Sequence, residues 1–108
     1  MSITYDLIRG HTDAIILGRL KKGDSYGYQI NKDILSITQN QLELKEATLY
    51  SAFRRLEQTG MIMSYWGNEE VGARRRYYCI TKAGELAYQE YLQDWGHTKG
   101  IIDSLLDE

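Results

Sequence analysis

The chain changes character at Gly60, and that change limits its fold more than any other feature. Before Gly60 the apolar residues recur at helical spacing; after it come two β-prone runs, then helical spacing again. Leu7, Ile8, Ala14, Ile15, Leu17 and Leu20 mark a first helix that stops at Lys21-Lys22-Gly23-Asp24, with basic residues and a glycine at its C-terminal end. Asp24 or Ser25 is the expected cap of a shorter helix carrying Tyr28, Ile30, Ile34 and Leu35. Thr38-Gln39-Asn40-Gln41 is a polar connector. A third helix is predicted over residues 45–59, with Leu49, Ala52, Phe53 and Leu56 on its apolar face and Gly60 at its end.

Past Gly60, Met61-Ile62-Met63-Ser64-Tyr65-Trp66 and Arg76-Tyr77-Tyr78-Cys79-Ile80-Thr81 flank the polar turn Gly67-Asn68-Glu69-Glu70-Val71-Gly72. Two such runs around a glycine-bearing turn predict a β-hairpin. Thr81, with Glu85 near the first turn, is the expected cap of a last helix that runs nearly to the end. The fold class is therefore mainly α with a small β-hairpin. The order helix, helix, helix, hairpin, helix is that of a winged helix-turn-helix, here followed by a long C-terminal helix.

At 108 residues the chain fits a single compact unit, which divides into a winged helix segment (1–81) and a C-terminal dimerisation helix (82–108). The formal net charge of -2 hides a segregation of charge. Residues 73–82 hold four bases (Arg74, Arg75, Arg76, Lys82) and no acid, whereas residues 83–108 hold six acids against Lys99. A basic patch in one segment is compatible with phosphate binding despite the acidic tail. Cys79 excludes an internal disulfide, suits a reducing compartment and reads as a packed thiol. No basic-then-apolar leader opens the chain, and the aliphatic run at 14–17 is far too short to span a bilayer, so a cytoplasmic location is expected.

In a winged helix the third helix enters the major groove, and its exposed face reads the bases. That face here offers Lys45, Thr48, Tyr50, Ser51, Arg54 and Arg55. Thr48 and Ser51 are short donors and acceptors near the helix start; Arg54 and Arg55 lie a turn later, within reach of the DNA backbone. The competing reading is a solvated amphipathic helix. In the hairpin, Arg74, Arg75 and Arg76 repel one another unless an anion is near, and the arginine fork suits phosphate. Arg74 and Arg75 are the expected phosphate or minor-groove contacts, while Arg76 is open to pairing with an acid of its own domain. A solubilising charge run is the alternative.

These residues fall in blocks that carry a resemblance. Asp24-Ser25-Tyr26-Gly27-Tyr28-Gln29-Ile30, Glu46-Ala47-Thr48-Leu49-Tyr50-Ser51, Arg55-Leu56-Glu57-Gln58-Thr59-Gly60-Met61-Ile62 and the stretch from Gly72 through Arg74-Arg75-Arg76-Tyr77-Tyr78 to Thr81 occur in one order and spacing. In them the chain resembles the PadR family of bacterial transcriptional regulators, its short subfamily in particular. It is similar also to the family's lactococcal multidrug-binding regulator in Ser64-Tyr65-Trp66-Gly67 and in Trp95. The resemblance implies a winged helix with a C-terminal dimerisation helix. Two departures stand out: Ala73 replaces a usual second wing glycine, and Lys45-Glu46-Ala47 stands where relatives often carry proline.

The last segment has its own stripe, Leu86 or Ala87, Tyr88, Tyr91, Leu92, Trp95, Ile102, Leu105 and Leu106, at gaps of three and four. It is too long to be buried on three helices, so a second copy of the chain is the expected partner. Membrane binding is disfavoured by the acidic polar face. Trp95 is either an anchor of the dimer or a stacking platform for an aromatic small molecule. The resemblance implies the second role as well, with the first helix lining the same pore and Leu7, His11 and Ala14 as further candidates. Lys99, one turn beyond Trp95, would favour a neutral or anionic aromatic over a cation. His11 by itself reads as a surface or capping residue. His11, His97 and Cys79 do not compose a metal site, and no cofactor is expected.

Three function classes compete. A homodimeric repressor bound to a palindromic operator in double-stranded DNA explains the arginine-rich wing. A winged helix that only binds proteins explains the fold but not those arginines. An enzyme lacks a nucleophile–base pair, a ligand cluster or a phosphate loop.

Overall fold

Leu49, Ala52, Phe53 and Leu56 recur every three or four residues, and burying that stripe is what makes residues Glu46–Gln58 a helix with one dry face. A computed structural model describes residues 5–70 and 72–107. The elements are α1 (Tyr5–Ile8), a 3-10 turn (Arg9–His11), α2 (Thr12–Lys21), α3 (Gly27–Ile37), α4 (Glu46–Gln58), β1 (Ile62–Trp66), β2 (Arg76–Ile80) and α5 (Lys82–Leu105). This is the expected winged helix with a long last helix. Residues 1–4, Val71 of the expected turn and Glu108 of the acidic tail lie outside the described residues.

One core joins the elements. Ile16, Leu17 and Leu20 of α2 meet Ile30 and Ile34 of α3 and the α4 stripe, with Leu42 and Leu44 of the connector beneath. The hairpin docks through Ile62 and Tyr78; the Tyr78 ring stacks on Phe53 with centroids 3.9 Å apart. Strand pairing is antiparallel, from Ile62↔Ile80 to Trp66↔Arg76. The turn between the strands is therefore longer than the sequence suggested, covering 67–75. Gly72 takes its positive φ of 84°, so Ala73 is spared the left-handed conformation.

Several expectations need correction. The first helix is not continuous: at Gly10, a poor helix former, it tightens into the 3-10 turn before α2 begins. Neither Asp24 nor Ser25 caps α3; the N-cap is Tyr26, with no side-chain cap. Ser25 instead exchanges two backbone hydrogen bonds with Tyr78 (3.1 and 2.8 Å), a single β-bridge that ties the α2–α3 loop to the wing. Tyr28 does not face the core and is 71% exposed. Between Leu86 and Ala87, packing selects Ala87, and Leu86 points to solvent.

The connector and the ends of α4 are held by identifiable groups. Asn31 donates from Nδ2 to the Leu44 carbonyl at 2.8 Å and accepts from the Leu44 N–H at 2.9 Å. That two-way clamp fixes the chain one residue before Lys45, the N-cap of α4. At the other end Gly60 adopts φ 77°, the left-handed stop of a helix. Thr81 caps α5 as expected, accepting from the Gly84 N–H at 3.1 Å. Its hydroxyl also donates to the Gly60 carbonyl at 2.6 Å, fastening α5 to the end of α4. Ala87 and Tyr88 rest on the core, but Leu92, Trp95, Ile101, Ile102 and Leu105 remain exposed along the rest of α5.

Candidate nucleic-acid interface

The buried stripe of α4 fixes where its polar residues go. With Leu49, Ala52, Phe53 and Leu56 inward, Lys45, Thr48, Tyr50, Ser51, Arg54 and Arg55 are all exposed. Tyr50 lies edge-on to Phe53 (centroids 5.7 Å) and closely over Gly27 of α3; a Cβ on Gly27 would come within 2.9 Å of its hydroxyl. Thr48, Ser51 and Arg55 share the wall of a groove of about 710 Å³, whose other wall is Ile8, Thr12 and Asp13.

The arginines are not equivalent. Arg55 reaches across to α2 and grips Asp13 with two hydrogen bonds, Nε to Oδ2 at 3.1 Å and Nη2 to Oδ1. Accepting those bonds, Asp13 pushes the Arg55 guanidinium further into its charged form. Arg76 donates to Ser64 Oγ at 2.7 Å, while that hydroxyl donates to Glu57 of α4, also at 2.7 Å. The Arg76–Glu57 pair itself spans 3.8 Å, so the acid partner left open for Arg76 is Glu57. The Arg76 guanidinium also lies over the Trp66 ring, 5.4 Å from its centroid. Arg75 sits over the Tyr26 ring at 4.9 Å and pairs with Glu69 at 3.4 Å. Among the described residues Lys45, Arg54 and Arg74 form no ion pair.

Glu69 organises the wing. The Tyr77 hydroxyl donates to it at 3.0 Å, and its own backbone N–H, then Tyr77 and Arg75, hold its carboxyl below the usual carboxylate range. Tyr65 stacks on Tyr77 (centroids 5.6 Å) and donates to Asp24 at 2.6 Å, which pushes its phenol up to about 12. Sequence reasoning missed Asn31, Asp13, Glu57 and Glu69. The Glu69–Arg75 contact follows once the hairpin register is known; the others join distant segments with no local signal.

Of the candidates outside α4 and the wing, His11 and Ala14 are the ones brought against α5. Ala14 is buried, and with Ile15 and Gly18 it lines a groove of about 340 Å³ closed by Tyr88, Tyr91 and Leu92 of α5. His11 occupies the N-cap position of α2, but its side chain makes no cap hydrogen bond: its Nδ1 shares a hydrogen bond with the Tyr91 hydroxyl, and its ring meets Trp95 edge-on, centroids 4.9 Å apart. Leu7 is 75% exposed and Trp95 41%. Lys99 is not a lone cation, since its amine lies 3.5 Å from Asp103. Ile102, Leu105 and Leu106 project beyond any contact with the core.

A helical triad with an exposed polar third helix, flanked by a basic two-stranded wing, defines a winged helix DNA-binding protein. Residues 16–90 match the Transcriptional regulator PadR-like family. A transcriptional regulator from Clostridium thermocellum has the same fold, with TM-score 0.89 and 47% identity over 97% of this chain and 99% of that one. A PadR family regulator from Clostridium difficile R20291 superposes with TM-score 0.77 and 35% identity, covering 89% and 98%. An uncharacterised protein of Lysinibacillus sphaericus is 42% identical over 105 residues, 97% of this chain and 96% of that one. The chain belongs to the PadR-like family of transcriptional regulators, which are DNA-binding proteins and not enzymes. Among the described residues no helix is long and apolar enough to cross a membrane.

Proposed function

We propose that the protein is a homodimeric repressor that reads a palindromic operator with α4 and grips the flanking phosphates with its wing. The observation that carries this reading is the exposed face of α4, where Thr48 and Ser51 stand beside Arg54, which, like Arg74 on the wing, has no ion pair among the described residues. Short hydroxyl residues suit base edges, and free guanidinium groups suit phosphate. Lys45, Tyr50, Arg55, Arg75 and Arg76 complete the contact set. Residues 1–81 supply the DNA-binding unit and residues 82–108 the dimerisation helix. Dimerisation through Tyr88, Tyr91, Leu92, Trp95, Ile102, Leu105 and Leu106 is supported by the exposed apolar end of α5. Such a dimer would hold two α4 helices about 34 Å apart, one helical turn of DNA.

The experiment is selection from a random duplex pool, followed by salt titration of the enriched sequence and light scattering of the free protein. A palindromic consensus, a dimer mass, and a log–log salt slope reduced by about 0.9 per lost phosphate contact in Arg54→Gln or Arg74→Gln support the reading. No enrichment of any sequence refutes it and favours a protein-interaction module. The same dimer face provides an effector site, in which an aromatic small molecule stacks on Trp95 beside His11, Leu7 and Ala14 and releases the operator. With Lys99 paired to Asp103, no net charge preference is expected. Quenching of Trp95 emission by planar aromatics, in a Trp66→Phe background, tests this site; no quenching by any of them refutes it.

A further inference from the structure

Asp13 lies on α2, outside the helix that reads DNA, yet it lines the same groove as Thr48, Ser51 and Arg55. Its carboxylate takes both Nε and Nη2 of Arg55, the fork geometry that a phosphate would otherwise occupy. The pairs of the wing are different in kind. Arg76–Glu57 and Arg75–Glu69 are long, at 3.8 and 3.4 Å, and are built into the hairpin through Ser64 and Tyr77. Asp13–Arg55 is a direct two-point contact between two helices, and its side chains keep 41% and 52% of their exposure. Water therefore screens it, and a phosphate can exchange for the carboxylate. Arg9, which lines the same groove, is taken by Asp6 at 2.6 Å.

We propose that Asp13 is a positioning residue that restrains DNA binding: it holds Arg55 against α2 and competes with phosphate for that guanidinium, so that random DNA does not gain the Arg55 contact. Only a site that seats α4 fully displaces Asp13 and recruits Arg55. The effect is a lower affinity for every duplex, which must either displace Asp13 or forgo Arg55, and a shallower salt dependence on random DNA. This inference rests on the proposed DNA-binding face of α4.

The test is a double-mutant cycle of Asp13→Ala and Arg55→Gln, read by fluorescence anisotropy on a random-sequence duplex and on the duplex enriched by selection. Asp13→Ala is expected to tighten random-duplex binding on the order of fivefold at 0.1–0.15 M salt and to steepen the slope by about 0.9 per subunit. Operator binding is expected to tighten at least as much, because the cost of displacing Asp13 is gone, but with its slope unchanged, since Arg55 meets phosphate there in either case. In the Arg55→Gln background the gain vanishes. Asp13→Asn repeats the cycle if Ala disturbs the start of α2, and a melting curve of each variant reports the fold. An unchanged random-duplex slope overturns the proposal. So does an equal gain with and without Arg55, which would mean that Asp13 simply repels phosphate. Failure of the wild-type protein to enrich or bind any duplex overturns the DNA-binding reading itself, and the proposal with it.

Discussion

The Asn31 clamp sets the start of α4, and its removal is expected to be costly. Asn31 is half-buried on α3 and spends both ends of its amide on Leu44, at 2.8 and 2.9 Å. Leu42 and Leu44, on either side of the clamped turn, are buried to 5% and 4% exposure, so the freed backbone groups have little access to water. Each bond contributes about 1 kcal/mol net, and stranding the Leu44 N–H and carbonyl adds desolvation, giving about 2–3 kcal/mol for Asn31→Ala. For a domain of this size that is a fall in Tm on the order of 10 °C. Asn31→Asp is the sharper test. It keeps the acceptor for the Leu44 N–H but turns an anionic oxygen toward the Leu44 carbonyl, and is expected to be no better than Ala despite its identical shape. Urea unfolding followed by circular dichroism, at one fixed protein concentration because a dimer links stability to concentration, gives the difference. Both variants within about 0.5 kcal/mol of wild type, a typical surface effect, would refute the clamp, as would an Asp variant clearly more stable than Ala.

Gly84→Ala places a Cβ 2.1 Å from the Met61 carbonyl and 2.8 Å from Ile80 Cγ1, so α5 must shift, at a cost of about 1–3 kcal/mol by chemical denaturation; a neutral result would show that α5 does not need this close approach. For Tyr65, donation to Asp24 raises the phenol from its free value of 10.0 to about 12. The protonated form is the one the fold favours, so this contribution is complete below pH about 10 and is lost as pH rises through about 12. Ultraviolet titration of Tyr65→Phe should lose a tyrosine that ionises above its free value; an unchanged upper limb would count against the contact.

What the sequence made legible was local. Helical spacing in α3 and α4, the alternation of two aromatic runs, the stop at Gly60 and the cap at Thr81 each depend on neighbours within a turn or a strand pair. What it hid was long-range. Asp13 and Arg55 are 42 residues apart, and Ser25 meets Tyr78 across the whole helical domain; neither pairing leaves a periodic trace. The hidden contacts bear directly on function, because they decide which charges are free. Read as a string, the candidate interface holds Lys45, Arg54, Arg55, Arg74, Arg75 and Arg76, with only Arg76 open to pairing with an acid of its own domain. Folded, Arg55, Arg75 and Arg76 already face Asp13, Glu69 and Glu57. A cation that must release a carboxylate to meet a phosphate exchanges one anion for another and gains little on DNA whose shape does not fit. On the proposed interface, random DNA is met by Lys45, Arg54 and Arg74, each steepening the salt slope by about 0.9, and Arg55 joins only where α4 is fully seated.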